Sequence, residues 1–344
     1  MKIIYFVIMF GLIVFVHEFG HFIFAKLNKV KVNEFSIGMG PALVTWGKKD
    51  TKYAIRLLPI GGYCLMEGSV EDSDDINSFN NKTVLQRLSV LFAGPFFNFV
   101  LAFLLSIIIC HYCVLDPAQI SKVDENSAAY EAGLRAGDTI IALNGEKIYN
   151  FREITLYRMV NDPKAPVTIK YKRDGKIYET VVQMKASEDG NYYFGVVSQP
   201  KLSDSFLEEL QYSLYEVRFN IKTTIYSVKM LFSGGASIDD LSGPVGIGQM
   251  MGDVVDEAEK RGGWEDVLLN IINFTVLISA NLGVMNLLPI PAVDGGRILF
   301  VLIEGVSGRP IPKNKENIVN FIGFILLMLL TIVVFFNDIS KLFR

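Results

Sequence analysis

The sequence predicts a polytopic α-helical membrane protein of about four transmembrane helices, with one inserted α+β domain and a β-rich, membrane-associated loop after the first span. Three observations predict it. Hydrophobic residues make up 51% of the 344 positions while 20% are charged, and mean hydropathy is +0.34, so polar and apolar segments must be segregated. Four apolar runs, at 3–27, 90–113, 267–288 and 318–336, approach the roughly 20 residues that cross about 30 Å of hydrocarbon as a helix. Between the second and third runs lies a polar stretch with strand and turn signals of its own.

The first run follows Lys2, as a signal peptide would, but no small-residue cleavage site follows it and it carries His17, Glu18 and His21. It is read as a retained span. Lys26, Lys29, Lys31, Lys82 and Arg87 flank the first loop, and Arg297, Arg309, Lys313 and Lys315 fill the loop between spans three and four. Both loops therefore read as cytoplasmic, and the segment between spans two and three reads as outward-facing. Both termini then face outward, with Lys341 and Arg344 weighing against that orientation.

Domain boundaries follow. Residues 1–114 hold two spans and a loop whose "NEFSIGMGP" and "YAIRLLPIGGYCLMEG" read as glycine-punctuated strands. Residues 115–202 read as a small domain. "VTIKYKRDGKIYETVVQM" is a hairpin around Asp174-Gly175, and Asn144-Gly145 marks a second tight turn. Residues 203–265 hold an amphipathic helix, with Leu207, Leu210, Leu214, Val217 and Ile221 on one side, and a "GPVGI" linker. That helix is compatible with lying on the membrane or packing on the spans, and equally with a solvated linker that buries one face. Residues 266–344 hold the last two spans.

A net charge of −3 gives no case for nucleic acid. Cys64, Cys110 and Cys113 make no disulfide framework. "CHYC" at 110–113 has CxxC spacing around His111, but with no partner pair it reads as span-end thiols ahead of a redox or second metal site.

The chemistry sits in His17-Glu18-Phe19-Gly20-His21. On a helix, residues four apart share a face, so both imidazoles reach one metal ion. Glu18 lies about 100° round from His17, beside the metal, placed to take a proton from water. Titratable groups in a span cost about 2.5–3.5 kcal/mol each on insertion scales and are usually functional. The competing reading is a set of polar residues satisfied by neighbouring helices. A catalytic zinc takes a third protein ligand. The candidate is Asp294 in "NLLPIPAVDGGR", where Pro289 and Pro291 stop a helix and Gly295-Gly296 allow a tight turn beside the acid.

Together with "EFSIGMGP" at 34–41, "GGY" at 61–63, "AGPFFNFVLA" at 93–102, "SGPVGI" at 242–247 and "NLLPIPAVDGG" at 286–296, these motifs resemble the bacterial site-2 proteases that carry a PDZ domain and cut membrane-bound anti-sigma factors. The markers stand in the family's order and cover nearly the whole chain. Ala292-Val293 departs mildly from the aliphatic pair, ending in Leu, that is common there. The resemblance implies an intramembrane zinc metalloendopeptidase of the bacterial cell membrane. Its zinc ligands would be His17, His21 and Asp294, and its catalytic acid/base Glu18. Asn286, Pro289, Gly61 and Gly62 would meet substrate. The outer domain, through "AAYEAGLRAGDTIIALNG", resembles one circularly permuted PDZ domain, with "YYFGVV" at 192–197 as the peptide-binding strand. Implied partners are single-span membrane proteins, lipid, and a peptide or new C-terminus on the PDZ domain, which is otherwise a size filter or a spacer. The active site would lie in the membrane near the cytoplasmic face. A metal-binding transporter or sensor, and an inactive scaffold, are the alternatives. Asn98, in the second-span motif, is a candidate structural residue near the site.

Overall fold

The computed structural model describes residues 2–47, 51–69, 73–186, 190–235, 237 and 241–342. Arg344, part of the orientation argument, lies outside them. Four helices among the described residues are long and apolar enough to cross a membrane. The chain divides into two compact units, residues 106–233 and the remainder.

The larger unit opens with α1 (Lys2–Leu27). β1 (Val32–Trp46) and β2 (Lys52–Met66) follow as two long, bent antiparallel strands. The first half of β1 is central: Ser36 pairs with Tyr63 on one side and Ala54 on the other. A polar staple crosses the sheet. Arg56 Nε donates to Ser36 Oγ at 2.8 Å, Tyr63 Oη donates to Glu34 Oε1 at 2.6 Å, and Arg56 bonds to both Glu34 and Tyr63. Burial opposes the charge on Glu34, but hydrogen bonds from Tyr63, Arg56 and Lys52 outweigh it and hold the carboxyl below its ordinary range. Met39, Leu43, Val44, Trp46, Leu57 and Leu58 are exposed on this sheet, an apolar surface too contiguous for a solvated loop. Phe15 and Phe22 of α1 pack their rings on Phe35 of β1.

α2 (Val84–Tyr112) begins six residues before its apolar run, because its first turns carry Gln86, Arg87 and Ser89, which a hydropathy window does not count. Gly20 of α1 meets α2 closely: a Cβ there would stand 2.5 Å from the Ala93 carbonyl oxygen.

The smaller unit holds β3 (Ile120–Val123), α3 (Ala128–Glu131), β4 (Thr139–Leu143), β5 (Glu146–Lys147) and α4 (Arg152–Val160). It continues through β6 (Val167–Arg173), β7 (Lys176–Val182), β8 (Lys185–Ala186), β9 (Tyr192–Tyr193), β10 (Val196–Ser198) and α5 (Phe206–Phe232). The main sheet runs β5-β4-β6-β7. Both anticipated turns form: Asn144 and Gly145, and Asp174 and Gly175, all have positive φ, as a two-residue hairpin turn requires. Ile120, Ile140, Leu143, Val167, Ile169 and Phe194 centre the core. The strand expected over 192–197 is broken in two, because Gly195 takes φ +82° between β9 and β10. The helix expected after the small domain forms as α5, and most of its apolar side is left open. Its buried residues are Glu209, Ser213, Val217, Asn220 and Thr224, while Leu207 and Leu214 are 75% and 58% exposed. Ser213, Asn220 and Thr224 donate to α5 carbonyls one turn back at 2.6, 2.9 and 2.8 Å, and beside them Arg152 pairs with Glu216, Arg218 with Glu153, and Lys222 with Glu146 at 2.8 Å.

The larger unit resumes with α6 (Pro244–Arg261), α7 (Trp264–Leu287), α8 (Asp294–Ser307) and α9 (Lys313–Leu342). "GPVGI", expected as a linker, opens α6, with Pro244 in the first turn where a missing N–H costs nothing. Its N-terminus is capped from afar. The Gly243 and Gly246 amides donate to the Asp338 carboxylate of α9 at 3.2 and 2.8 Å, and Asp338 is 1% exposed. Asp338→Ala is expected to destabilise the protein by about 1–2 kcal/mol, in line with loss of a helix cap. Chemical unfolding in detergent, followed by circular dichroism, measures this; an unchanged midpoint would show that α6 holds its place without the cap.

Candidate metal centre

His17 and His21 lie on one face of α1, buried, with their rings edge-to-face at 4.8 Å. Their Nε2 atoms are 3.2 Å apart. Asp294 Oδ2 completes a triangle, 3.1 Å from His17 Nε2 and 3.2 Å from His21 Nε2. Tetrahedral donors bound at about 2.0–2.2 Å stand about 3.3–3.6 Å apart, so the set fits a zinc ion with little adjustment. Two imidazoles and a carboxylate aimed at one point present lone pairs that a cation satisfies better than protons do. Among the described residues, these three form the single group able to hold a metal in this way. "CHYC" contributes no such group, its His111 Nδ1 contacts Glu209 at 3.0 Å, and no cysteine is in a disulfide.

The backbone explains the convergence. α7 ends at Leu287, ahead of Pro289 and Pro291, and Asp294 is the first residue of α8, where the helix dipole favours a carboxylate. Gly295 and Gly296 do not make the tight turn expected of them. They are helical and supply room: Cβ atoms there would lie 2.1 Å from the Leu288 oxygen and 2.3 Å from the Ile290 oxygen. The loop before them is held by α9, since the Ala292 amide donates to Asn320 Oδ1 at 3.2 Å.

α2 forms the rear wall. A Cβ on Gly94 would lie 2.3 Å from His21 Nε2 and 2.9 Å from His17 Cε1, so only glycine leaves space for both rings. His21 Nδ1 lies 2.8 Å from the Val90 carbonyl oxygen, to which it donates when Nε2 is left bare. Asn98, fully buried, sets its Nδ2 3.2 Å from His17 Nδ1. Neither Gly94 nor the Val90 carbonyl was singled out in the sequence. The one local signal was a Gly-Pro pair inside an apolar helix.

A cavity of about 380 Å³ opens beside the triangle, lined by His17, Glu18, Gly61, Gly62, Asn286 and Asp294, with Met39, Ala292 and Val293 among the other walls. Most of the residues expected to meet substrate are thus gathered with Glu18. His21 and Pro289 are not among its lining residues. In the smaller unit, a groove of about 240 Å³ runs between α4 residues Ile154, Thr155 and Arg158 and the Tyr193–Val196 segment.

A His-Glu-x-x-His helix, a distant aspartate and four apolar helices define a membrane metallopeptidase. The sequence comparisons agree. Peptidase family M50, the site-2 protease family, matches residues 5–330, and the chain belongs to it. A zinc metalloprotease of Clostridium acetobutylicum is 39% identical over 342 residues, covering 97% of this chain and 96% of that protein. The regulator of sigma-W protease RasP of Bacillus subtilis is 30% identical, with 99% of each chain covered. The PDZ domain of an SdrC-like protein of Listeria innocua is 28% identical over 24% of this chain and 94% of that one, with a TM-score of 0.22, too low to carry an argument. The chain is a zinc metalloprotease located in a membrane.

Gly94→Ala is expected to push both imidazoles aside and to drop the zinc content of the purified protein well below that of wild type. Elemental analysis of detergent-purified protein tests this, and wild-type zinc content would show that the rings can withdraw.

Proposed function

We propose that the protein cuts single-span membrane proteins within the bilayer, with His17, His21 and Asp294 as the zinc ligands and Glu18 as the acid/base. The observation that carries the reading is the triangle of donor atoms 3.1–3.2 Å apart with Glu18 on the adjoining cavity wall. A zinc ion held there supplies Lewis acidity toward the scissile carbonyl and a water whose pKa falls to about 7. Glu18 accepts the proton of the attacking water and returns it to the departing amine. Asn286, on the same wall, is placed to hold the substrate backbone.

A helical substrate must unwind to expose a peptide bond. The arm of β2 from Gly62 to Met66 pairs with β1 on one edge only among the described pairings, and Gly61 and Gly62 line the cavity. An extended substrate adds to that edge as a further strand. His21 lies six residues, about 9 Å of helix, from the end of α1. With the first loop cytoplasmic by its lysines, the centre belongs to the cytoplasmic half of the bilayer and the PDZ-like domain to the outside. The exposed apolar surfaces of the β1–β2 sheet, α5 and α9 then meet lipid. Candidate substrates are anti-sigma factors and remnant signal peptides, and the name of the Bacillus subtilis relative, a regulator of sigma-W protease, favours the former.

Glu18→Gln is expected to keep zinc and to lose cleavage by at least about 10²–10⁴-fold, the usual worth of a general base. Cleavage of a single-span substrate in detergent or proteoliposomes tests it, and persisting cleavage would remove Glu18 from the role. The groove beside Thr155 is proposed to take an extended peptide or a free C-terminus. Thr155→Trp should weaken binding of such a peptide by tenfold or more in fluorescence anisotropy; equal affinity would make the domain a filter or spacer.

A further inference from the structure

We propose that Asn98 is a positioning residue for zinc: its amide oxygen accepts the Nδ1–H of His17 and so holds that ring with Nε2 bare. The inference rests on His17 being a ligand, as proposed above. Two facts carry it. Asn98 Nδ2 stands 3.2 Å from His17 Nδ1, and Asn98 Oδ1 is buried with no hydrogen-bond partner.

With its nitrogen toward the ring, the amide donates to Nδ1, which puts the ring proton on Nε2. That proton would point at His21 Nε2 and Asp294 Oδ2, 3.2 and 3.1 Å away, and a protonated Nε2 cannot ligate. Amide oxygen and nitrogen are nearly isosteric, so their assignment follows from the hydrogen-bond network. Turning the amide over gives Oδ1 a donor and moves the ring proton to Nδ1. His21 is served in the same way by the Val90 carbonyl at 2.8 Å. Both acceptors belong to α2, about two turns apart, so one helix fixes the tautomer of both imidazoles. The side chain is held in place through its own backbone, whose carbonyl accepts from Ser279 Oγ of α7 at 2.8 Å.

The choice of a neutral acceptor has a physical reason. Histidine ligands are commonly oriented by a carboxylate, backbone carbonyl or water. Asn98 is 0% exposed, in the middle of a membrane-spanning helix, where an added charge is costly. An amide gives the same hydrogen bond without it.

The test compares full-length wild type with Asn98→Leu, Asn98→Asp and His17→Ala, each in detergent. Zinc affinity is read by chelator competition and ligand geometry by the visible spectrum of the cobalt-loaded protein. Leucine fills the volume but accepts nothing, and aspartate restores the acceptor. The expected result is a 10–100-fold loss of zinc affinity in Asn98→Leu, with an altered cobalt spectrum, and recovery in Asn98→Asp to within a few-fold of wild type. Wild-type affinity and spectrum in Asn98→Leu would overturn the inference while leaving the ligand assignment intact. So would a loss in Asn98→Asp as deep as in the leucine variant. If His17→Ala binds zinc as wild type does, the ligand assignment fails, and this inference with it. Unfolding curves of the metal-free proteins separate these outcomes from misfolding: a leucine variant that loses zinc only because it unfolds counts against the positioning role.

Discussion

The close approach of α1 to α2 is the constraint on which the rest depends. Two imidazoles and a carboxylate in a bilayer-spanning protein are costly unless they face inward onto each other and a cation. Facing inward requires a neighbour that is thin where the rings are broad. Gly94 provides that thinness, and Gly20 brings the two backbones together on the other side of the crossing. The same helix that yields space also returns hydrogen bonds, through the Val90 carbonyl and Asn98. α2 is therefore both the mould and the anchor for the α1 side chains, and the β1–β2 sheet covers the aromatic face that the motif leaves over.

What could be read in the sequence was whatever is written locally. The histidine pair is four residues apart, so helical geometry alone brings it together. The Asp174-Gly175 and Asn144-Gly145 turns declare themselves through the positive φ they adopt. Asp294 was legible through its company of prolines and glycines, although the glycines serve close packing and not the turn. What escaped was set by partners far along the chain. Nothing local says that Gly94 faces two histidines, that Asp338 caps α6, or that α5 buries its polar side. The α5 periodicity marks an apolar stripe correctly, but periodicity does not say which side faces a protein partner. There the ion pairs of Arg152, Glu153 and Glu146 mark the partner side. "GPVGI" misled because glycine and proline suggest irregular chain, whereas here they start a helix.

The two cavities have different walls. The larger is lined by His17, Glu18 and Asp294 and by Gly61 and Gly62 of β2, so the histidine-aspartate triangle and a strand edge border one space. The second cavity belongs to the smaller unit, and α4 forms one of its walls. α4 is also where α5 grips that unit, through Arg152 and Glu153. The groove is thus built on a helix fixed by ion pairs from outside the sheet, which limits how far its wall can move when it is filled.

The distance along the chain between the halves of the metal centre has a consequence for biogenesis. His21 and Asp294 are 273 residues apart. Synthesis proceeds at about 5–20 residues per second, so roughly 14–55 s pass between the emergence of the histidines and that of the aspartate. Throughout that interval the nascent chain carries the two histidines without the aspartate. With the three side chains as ligands, as proposed, the donor set is complete only once the third span has been made, so the site stays silent until insertion is nearly finished.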